Sequence, residues 1–211
     1  LLTGSANVLL LPKLSESLAG RMETLALHPF SQSEFEETRG SFIDEAFAAR
    51  LPSFSLKPST QAHLLSRILK GGFPEANQRP ALDRRNAWFG SYITTILQRD
   101  IRDLANIDGL TTLPDLLSLL AARSGSLLNF AEISNSSNIP QTTLKRYLVL
   151  LETTFLVHRI RPWSSNLSKR LIKTPKIYLA DTGFLTYLVG ADEKRLKTDG
   201  SLFGKIMETF V

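Results

Sequence analysis

Cysteine is absent from the 211 residues. That removes disulfides and cysteine-based zinc sites together. Histidine is scarce: His28, His63 and His158 lie far apart and form no pair at metal-ligand spacing. No apolar run approaches the roughly 20 residues a membrane-crossing helix needs. The opening run Val8 to Leu11 is also too short for the apolar part of a signal peptide. No membrane partner is therefore expected. The phosphate-binding string GxxxxGK[ST] does not occur, and no hydrophobic strand ending in Asp-Glu precedes Leu1. The groups that would cradle nucleotide phosphates and Mg²⁺ are thus missing from these residues. A last deficit is local. From Thr153 to Ala180 there is no Asp or Glu, while Arg159, Arg161, Lys169, Arg170, Lys173 and Lys176 fall within the stretch.

What is present is ordinary for a globular chain: 43% hydrophobic and 21% charged residues, with net charge +5. This is enough to bury a core in one large domain or two small ones. The charge permits an acidic partner without requiring one. Both ends are apolar, Leu1-Leu2 and Met207 to Val211, and read as cuts within structure, because free domain ends are usually polar.

The periodicities predict a mainly α chain with short β elements. Residues 1–40 read as the remnant of an α/β core: a strand tail at Leu1-Leu2, a turn at Thr3-Gly4-Ser5, a helix from Val8 to Ala19, a short strand from Met22 to Leu27 and a short helix from Ser33 to Thr38. Residues 41–110 read as a helical subdomain. Pro58-Ser59-Thr60 starts a helix with the stripe Leu64, Leu65, Ile68 and Leu69, which Gly71-Gly72 stops. Pro80 opens a longer helix to about Ala105. Its alternating Arg99, Asp100, Arg102 and Asp103 read as a salt-bridge network.

Residues 111–190 change rhythm. Pro114 starts a helix that ends at Ser124-Gly125. Asn129 to Glu132 has capping-box spacing and opens a second helix. Asn138 and Pro140 introduce a third, with Leu144, Tyr147, Leu148 and Leu151 at i, i+3, i+4, i+7. Strands at Phe155 to Ile160 and Lys176 to Ala180 follow. Three helices and a two-stranded ribbon, in that order, predict a winged helix-turn-helix. Opposite its leucine stripe the third helix presents Thr142, Lys145 and Arg146. With Arg159, Arg161, Lys169, Arg170 and Lys173 of the ribbon these are the candidates for contacting phosphates of double-stranded DNA. The same surface would equally serve docking onto another protein, a neighbouring domain or a second copy.

Three groups of residues carry a family resemblance. The first runs from Leu2-Thr3-Gly4-Ser5-Ala6-Asn7 through Ser17-Leu18-Ala19-Gly20-Arg21 to His28-Pro29-Phe30-Ser31. The second is Gly71-Gly72-Phe73-Pro74-Glu75, Trp88 and Gln98 to Leu104. The third is Ala121 to Gly125, Lys169-Arg170-Leu171 and Tyr178 to Gly183. Together they resemble the AAA_14/DUF4143 family of P-loop ATPases, in its portion after the Walker motifs. The resemblance implies that Ser5 and Asn7 sit near a nucleotide-sensing strand and that Arg21 is the arginine that reaches phosphate. It implies ATP and Mg²⁺ as cofactors of a longer cytoplasmic parent, with no cofactor and no ATP turnover expected of these residues alone. It also implies that residues 191–211 open a region like the PD-(D/E)XK restriction endonucleases, where Glu208 is the one carboxylate in position. Glu208 is read here as a helix-face residue, and no metal site is expected.

Overall fold

The structure is a computed structural model that describes residues 3–6, 23, 25–39, 42–48, 59–102, 110–166 and 173–211. The expected strand tail at residues 1–2 and helix over 8–19 lie outside the described residues. The chain is mainly helical, with one small two-stranded sheet among the described residues.

The expected strand over Met22 to Leu27 is not formed at its described positions, Glu23 and Leu25 to Leu27, which are irregular. Leu25 and Leu27 are 82% and 95% exposed. Alternating leucines make a strand only beside a partner backbone, and the two strands of the sheet pair with each other. Two short helices follow, α1 (Gln32–Phe35) and α2 (Phe42–Phe47). Ser31 and Glu34 close a reciprocal capping box on α1.

Helix α3 (Gln61–Lys70) starts and stops where the sequence predicts. The Thr60 hydroxyl accepts from the His63 N–H at 3.2 Å, and Gly71 leaves the helix at φ +68°, where a side chain would be strained. The inward stripe buries Leu65 and Ile68 completely, each contributing about 1.5–3 kcal/mol. After α4 (Pro74–Asn77), α5 (Leu82–Thr95) continues as a wider π-helical turn over Ile96–Ile101. The extra residue in that turn keeps Ile96, Leu97 and Ile101 all buried.

Helices α6 (Leu113–Ala122), α7 (Phe130–Ser137) and α8 (Gln141–Thr153) come next. They lead into β1 (Val157–Ile160), which pairs antiparallel with β2 (Lys176–Leu179) from Val157 opposite Leu179 to Ile160 opposite Lys176. A single bridge from Leu127 to Lys176 brings the α6–α7 connection alongside the ribbon. Three capped helices end the chain: α9 (Thr182–Leu188), α10 (Glu193–Thr198) and α11 (Gly200–Phe210).

One cluster of buried side chains runs from Leu65 to Ile206. At its centre α9 touches α3, α5, α6, α11 and β2. Its first turn is buried throughout, from Thr182 to Thr186. Asp181 caps it: Oδ1 accepts from the Phe184 N–H at 2.7 Å, and Oδ2 accepts from the Gly72 N–H at 2.5 Å. Gly183 makes the close approach possible. A Cβ there would lie 2.5 Å from the Lys70 carbonyl oxygen. Helix α11 is fastened to β2 by Glu208, whose carboxylate pairs with Lys176 and accepts from the Tyr178 hydroxyl at 2.6 Å.

Candidate nucleic-acid interface

The α7–α8 pair is set by local chemistry. Asn129 Oδ1 accepts from the Glu132 N–H at 3.2 Å, which caps α7. The Glu132 carboxylate, expected to return to Asn129, instead pairs with Arg123 at 2.6 Å, so the capping box is half made. Asn138 takes the left-handed conformation at φ 55°, one that asparagine tolerates well, and turns the chain into α8. The Ser134 hydroxyl holds that turn by donating to the Ile139 carbonyl at 2.6 Å. Leu144, Tyr147, Leu148 and Leu151 of α8 are then all buried, as the spacing predicts.

On the opposite side Thr142, Lys145 and Arg146 are exposed. Lys145 Nζ lies 5.5 Å from the centre of the Phe130 ring, a cation–π contact that steadies the ammonium while leaving its charge outward. In the ribbon, Arg159, Arg161 and Lys173 are exposed. Arg159 is clamped by both carboxylate oxygens of Glu152 at the end of α8, and Lys176 is paired with Glu208. Acidic residues from outside the acid-free stretch therefore neutralise two of its six cations. Arg161 and Lys173 make no ion pair among the described residues. Lys169 and Arg170 lie outside the described residues.

Of the nucleotide-sensing candidates, Asn7 and Arg21 also lie outside the described residues. Ser5 is described, and its hydroxyl donates to Asp100 Oδ2 at 2.6 Å. The salt-bridge network expected around Asp100 is thus replaced, at the described positions, by this long-range hydrogen bond. Burial, together with the nearby carboxylates of Asp100 and Asp181, pushes the Tyr92 phenol up to about 12. Burial likewise raises Asp181 to about 6, against the opposing pull of the N–H groups it accepts from.

Two features were not singled out in the sequence pattern. The His28 ring sits 5.5 Å from the His158 ring. Burial chiefly, and then His28, lowers the affinity of His158 for a proton, while Glu152 acts the other way. Trp163, just beyond β1, is 81% exposed. Its place between cations, in a stretch without acids, was the cue available in the sequence. Among the described residues no group of three His, Asp or Glu side chains could hold a metal ion, and no helix is long and apolar enough to cross a membrane.

Comparison with known proteins divides the chain. Residues 1–36 match the model of a family described as an AAA domain, AAA_14. Residues 61–195 match a domain of unknown function, DUF8612, so the C-terminal match falls to this family and not to DUF4143. The uncharacterized proteins Rv2008c of Mycobacterium tuberculosis and Mb2031c of Mycobacterium bovis are each 32% identical over the whole of this chain, which covers 42% of their length. An uncharacterized protein of Haemophilus influenzae is 25% identical over 90% of this chain and 45% of its own. The chain thus spans less than half the length of these relatives, and no solved structure matches it. With more than half of its residues under that one family model, the chain belongs to the DUF8612 family.

Proposed function

We propose that α6, α7, α8 and the β1–β2 ribbon form a winged helix-turn-helix that contacts duplex DNA as part of a longer AAA-type ATPase. The carrying observation is the exposed set Thr142, Lys145 and Arg146 on α8, the helix that packs against β1, with Arg161 and Lys173 flanking the ribbon in no ion pair among the described residues. Hydroxyl and cationic side chains on a helix next to a cationic hairpin match the spacing and charge of a phosphate backbone. The match to an AAA domain over residues 1–36 supports ATP and Mg²⁺ as ligands of the whole protein. Ser5, Asn7 and Arg21 are then its sensing residues on this stretch. In the same reading α10 and α11 begin a nuclease-like region, although Glu208 is engaged by Lys176 and Tyr178 here.

Self-association or protein docking is the second reading, favoured by the exposed apolar side chains Leu25, Leu27, Ile43 and Phe47 near the N-terminal end. The test is binding of a labelled random duplex at low and physiological salt, by the protein and by a Lys145/Arg146/Arg161→Ala variant. Neutralising about three phosphates fewer should make the salt slope shallower by about 2–3. No binding at low salt sinks the reading and leaves the basic ribbon as a protein-docking surface.

A further inference from the structure

Beyond β1 the chain runs Ile160-Arg161-Pro162-Trp163, and Trp163 is 81% exposed while Ile160 is 57% exposed. Trp163 lies three residues past the last ribbon pair, Ile160 opposite Lys176; Lys173 lies three residues before that pair's other member. The indole thus follows the end of the ribbon in the chain, two residues after an exposed arginine, while an exposed lysine stands three residues before the returning strand. Neither cation is held in an ion pair among the described residues. Contact with a large apolar side chain such as Trp163 would ordinarily be buried, and a folded protein gains nothing by leaving it in water. Pro162, whose ring fixes φ, limits how the indole can fold back along its own strand.

We propose that Trp163 is a stacking platform for an unpaired nucleobase, with Arg161 and Lys173 holding the phosphates on either side of it. The inference rests on the DNA reading of the ribbon and names its substrate: duplex DNA that ends in, or opens into, a single strand. Base stacking on an aromatic face tolerates any sequence, and cations close by neutralise the backbone that the base brings with it. A paired base inside a duplex offers no free face to the indole, so the duplex contacts belong to α8 and the single-stranded contact to Trp163. Anionic lipid would also attract an indole flanked by cations. Among the described residues this end adds Ile160, 57% exposed, and Leu127, 63% exposed and bridged to Lys176, a small apolar face for anchoring in a bilayer.

The experiment compares a blunt duplex with the same duplex carrying a single-stranded overhang, using labelled-DNA anisotropy for affinity and tryptophan emission for stacking. The protein, Trp163→Ala and Trp163→Phe are measured side by side; the exposure of Trp163 lets all three fold. The expected result is tighter binding of the overhang DNA, quenching of the emission by that DNA alone, and loss of the quenching in both variants. Trp163→Ala should bind the overhang DNA roughly tenfold more weakly, equivalent to 1.4 kcal/mol, and the blunt duplex unchanged. Trp163→Phe should keep most of the preference. Equal affinity for both DNAs without quenching overturns this inference and leaves the duplex reading standing. Failure to bind any DNA overturns both. A blue-shifted emission on phosphatidylserine–phosphatidylcholine vesicles, with none of the DNA effects, assigns the indole to a lipid surface and overturns it as well.

Discussion

Substituting alanine at two glycines should shift stability in opposite directions, although both lie in helices. Gly183 is the second residue of α9. A Cβ there would meet three backbone atoms: the Lys70 carbonyl oxygen at 2.5 Å, the Lys70 carbonyl carbon at 2.7 Å and the Gly71 nitrogen at 2.9 Å. Backbone cannot rotate out of the way as a side chain can, so α9 must move off the end of α3. That motion stretches the bond from the Gly72 N–H to Asp181, now 2.5 Å. Overpacking of this kind costs about 1–3 kcal/mol, and weakening a buried bond to a charged acceptor costs about 1.5–3 kcal/mol more. Alanine returns up to about 1 kcal/mol through helix propensity and a less flexible unfolded chain. The net expectation for Gly183→Ala is a loss of about 2–4 kcal/mol, or a Tm lower by about 5–15 °C in a chain of this size. Gly204 sits inside α11, exposed, with nothing within 4 Å of where a Cβ would lie. Gly204→Ala should gain about 0.5–1 kcal/mol. Urea unfolding of the three proteins, compared at equal slope, measures both shifts. A neutral or stabilising Gly183→Ala would refute the tight α3–α9 contact, and shifts of the same sign at both sites would refute the steric argument altogether.

Asp181 makes stability depend on pH in a particular direction. Burial raises its folded pKa to about 6 from an ordinary value of 3.8, so the folded chain holds the proton more tightly. Its contribution is fully present below about pH 4 and is lost as pH rises through about 6, a change of ~3 kcal/mol. Asp181→Asn should be less stable than the parent at pH 4, and the gap should narrow towards pH 7 in urea midpoints; a gap that widens with pH refutes the burial argument. For Glu208 the expected effect is small. Lys176 and Glu208 are both about two-fifths exposed, and such pairs contribute under about 1 kcal/mol. Glu208→Gln should therefore leave the unfolding midpoint nearly unchanged, and a loss above about 2 kcal/mol would show that α11 depends on this carboxylate.

Where the chain is locally encoded, the sequence was readable. Thr60 and Gly71 bracket α3, Asn129 opens α7, and the leucine stripe of α8 faces inward, because caps and periodicity act within a few residues. The two strands fall where β-branched and apolar residues cluster, and their register follows from which residues face the core. The failures are of another kind. Glu152 neutralises Arg159 from seven residues away, across a helix end, so charge counted along a segment overstated the free cations. The π-helical turn over Ile96–Ile101 has no signature apart from the burial it permits. The strand expected near Leu25 has no partner among the described residues, and no local pattern can supply one. Of the candidate interface, Thr142, Lys145 and Arg146 could be placed from helical periodicity alone; Trp163 could have been added from its cationic neighbours.

The least legible feature also joins the two matched regions. Gly72 uses both of its backbone groups across long distances. Its N–H goes to Asp181, 109 residues away, and its carbonyl accepts from the Phe30 N–H at 2.8 Å. Phe30 belongs to the stretch that matches an AAA domain, while Gly72 and Asp181 belong to the DUF8612 region. Two residues before Phe30, His28 lies against His158 of β1 and edge-on to Phe155. Glu36 of the same stretch pairs with Arg67 of α3. Residues 28–36 are therefore held at the end of α3, at the cap of α9 and at the first strand of the basic ribbon. A displacement of that stretch must either break the Phe30–Gly72 bond, leaving a buried carbonyl without its partner at about 1–3 kcal/mol, or carry the α3–α9 joint with it. Gly72 has no side chain to absorb the movement, so the peptide itself transmits it.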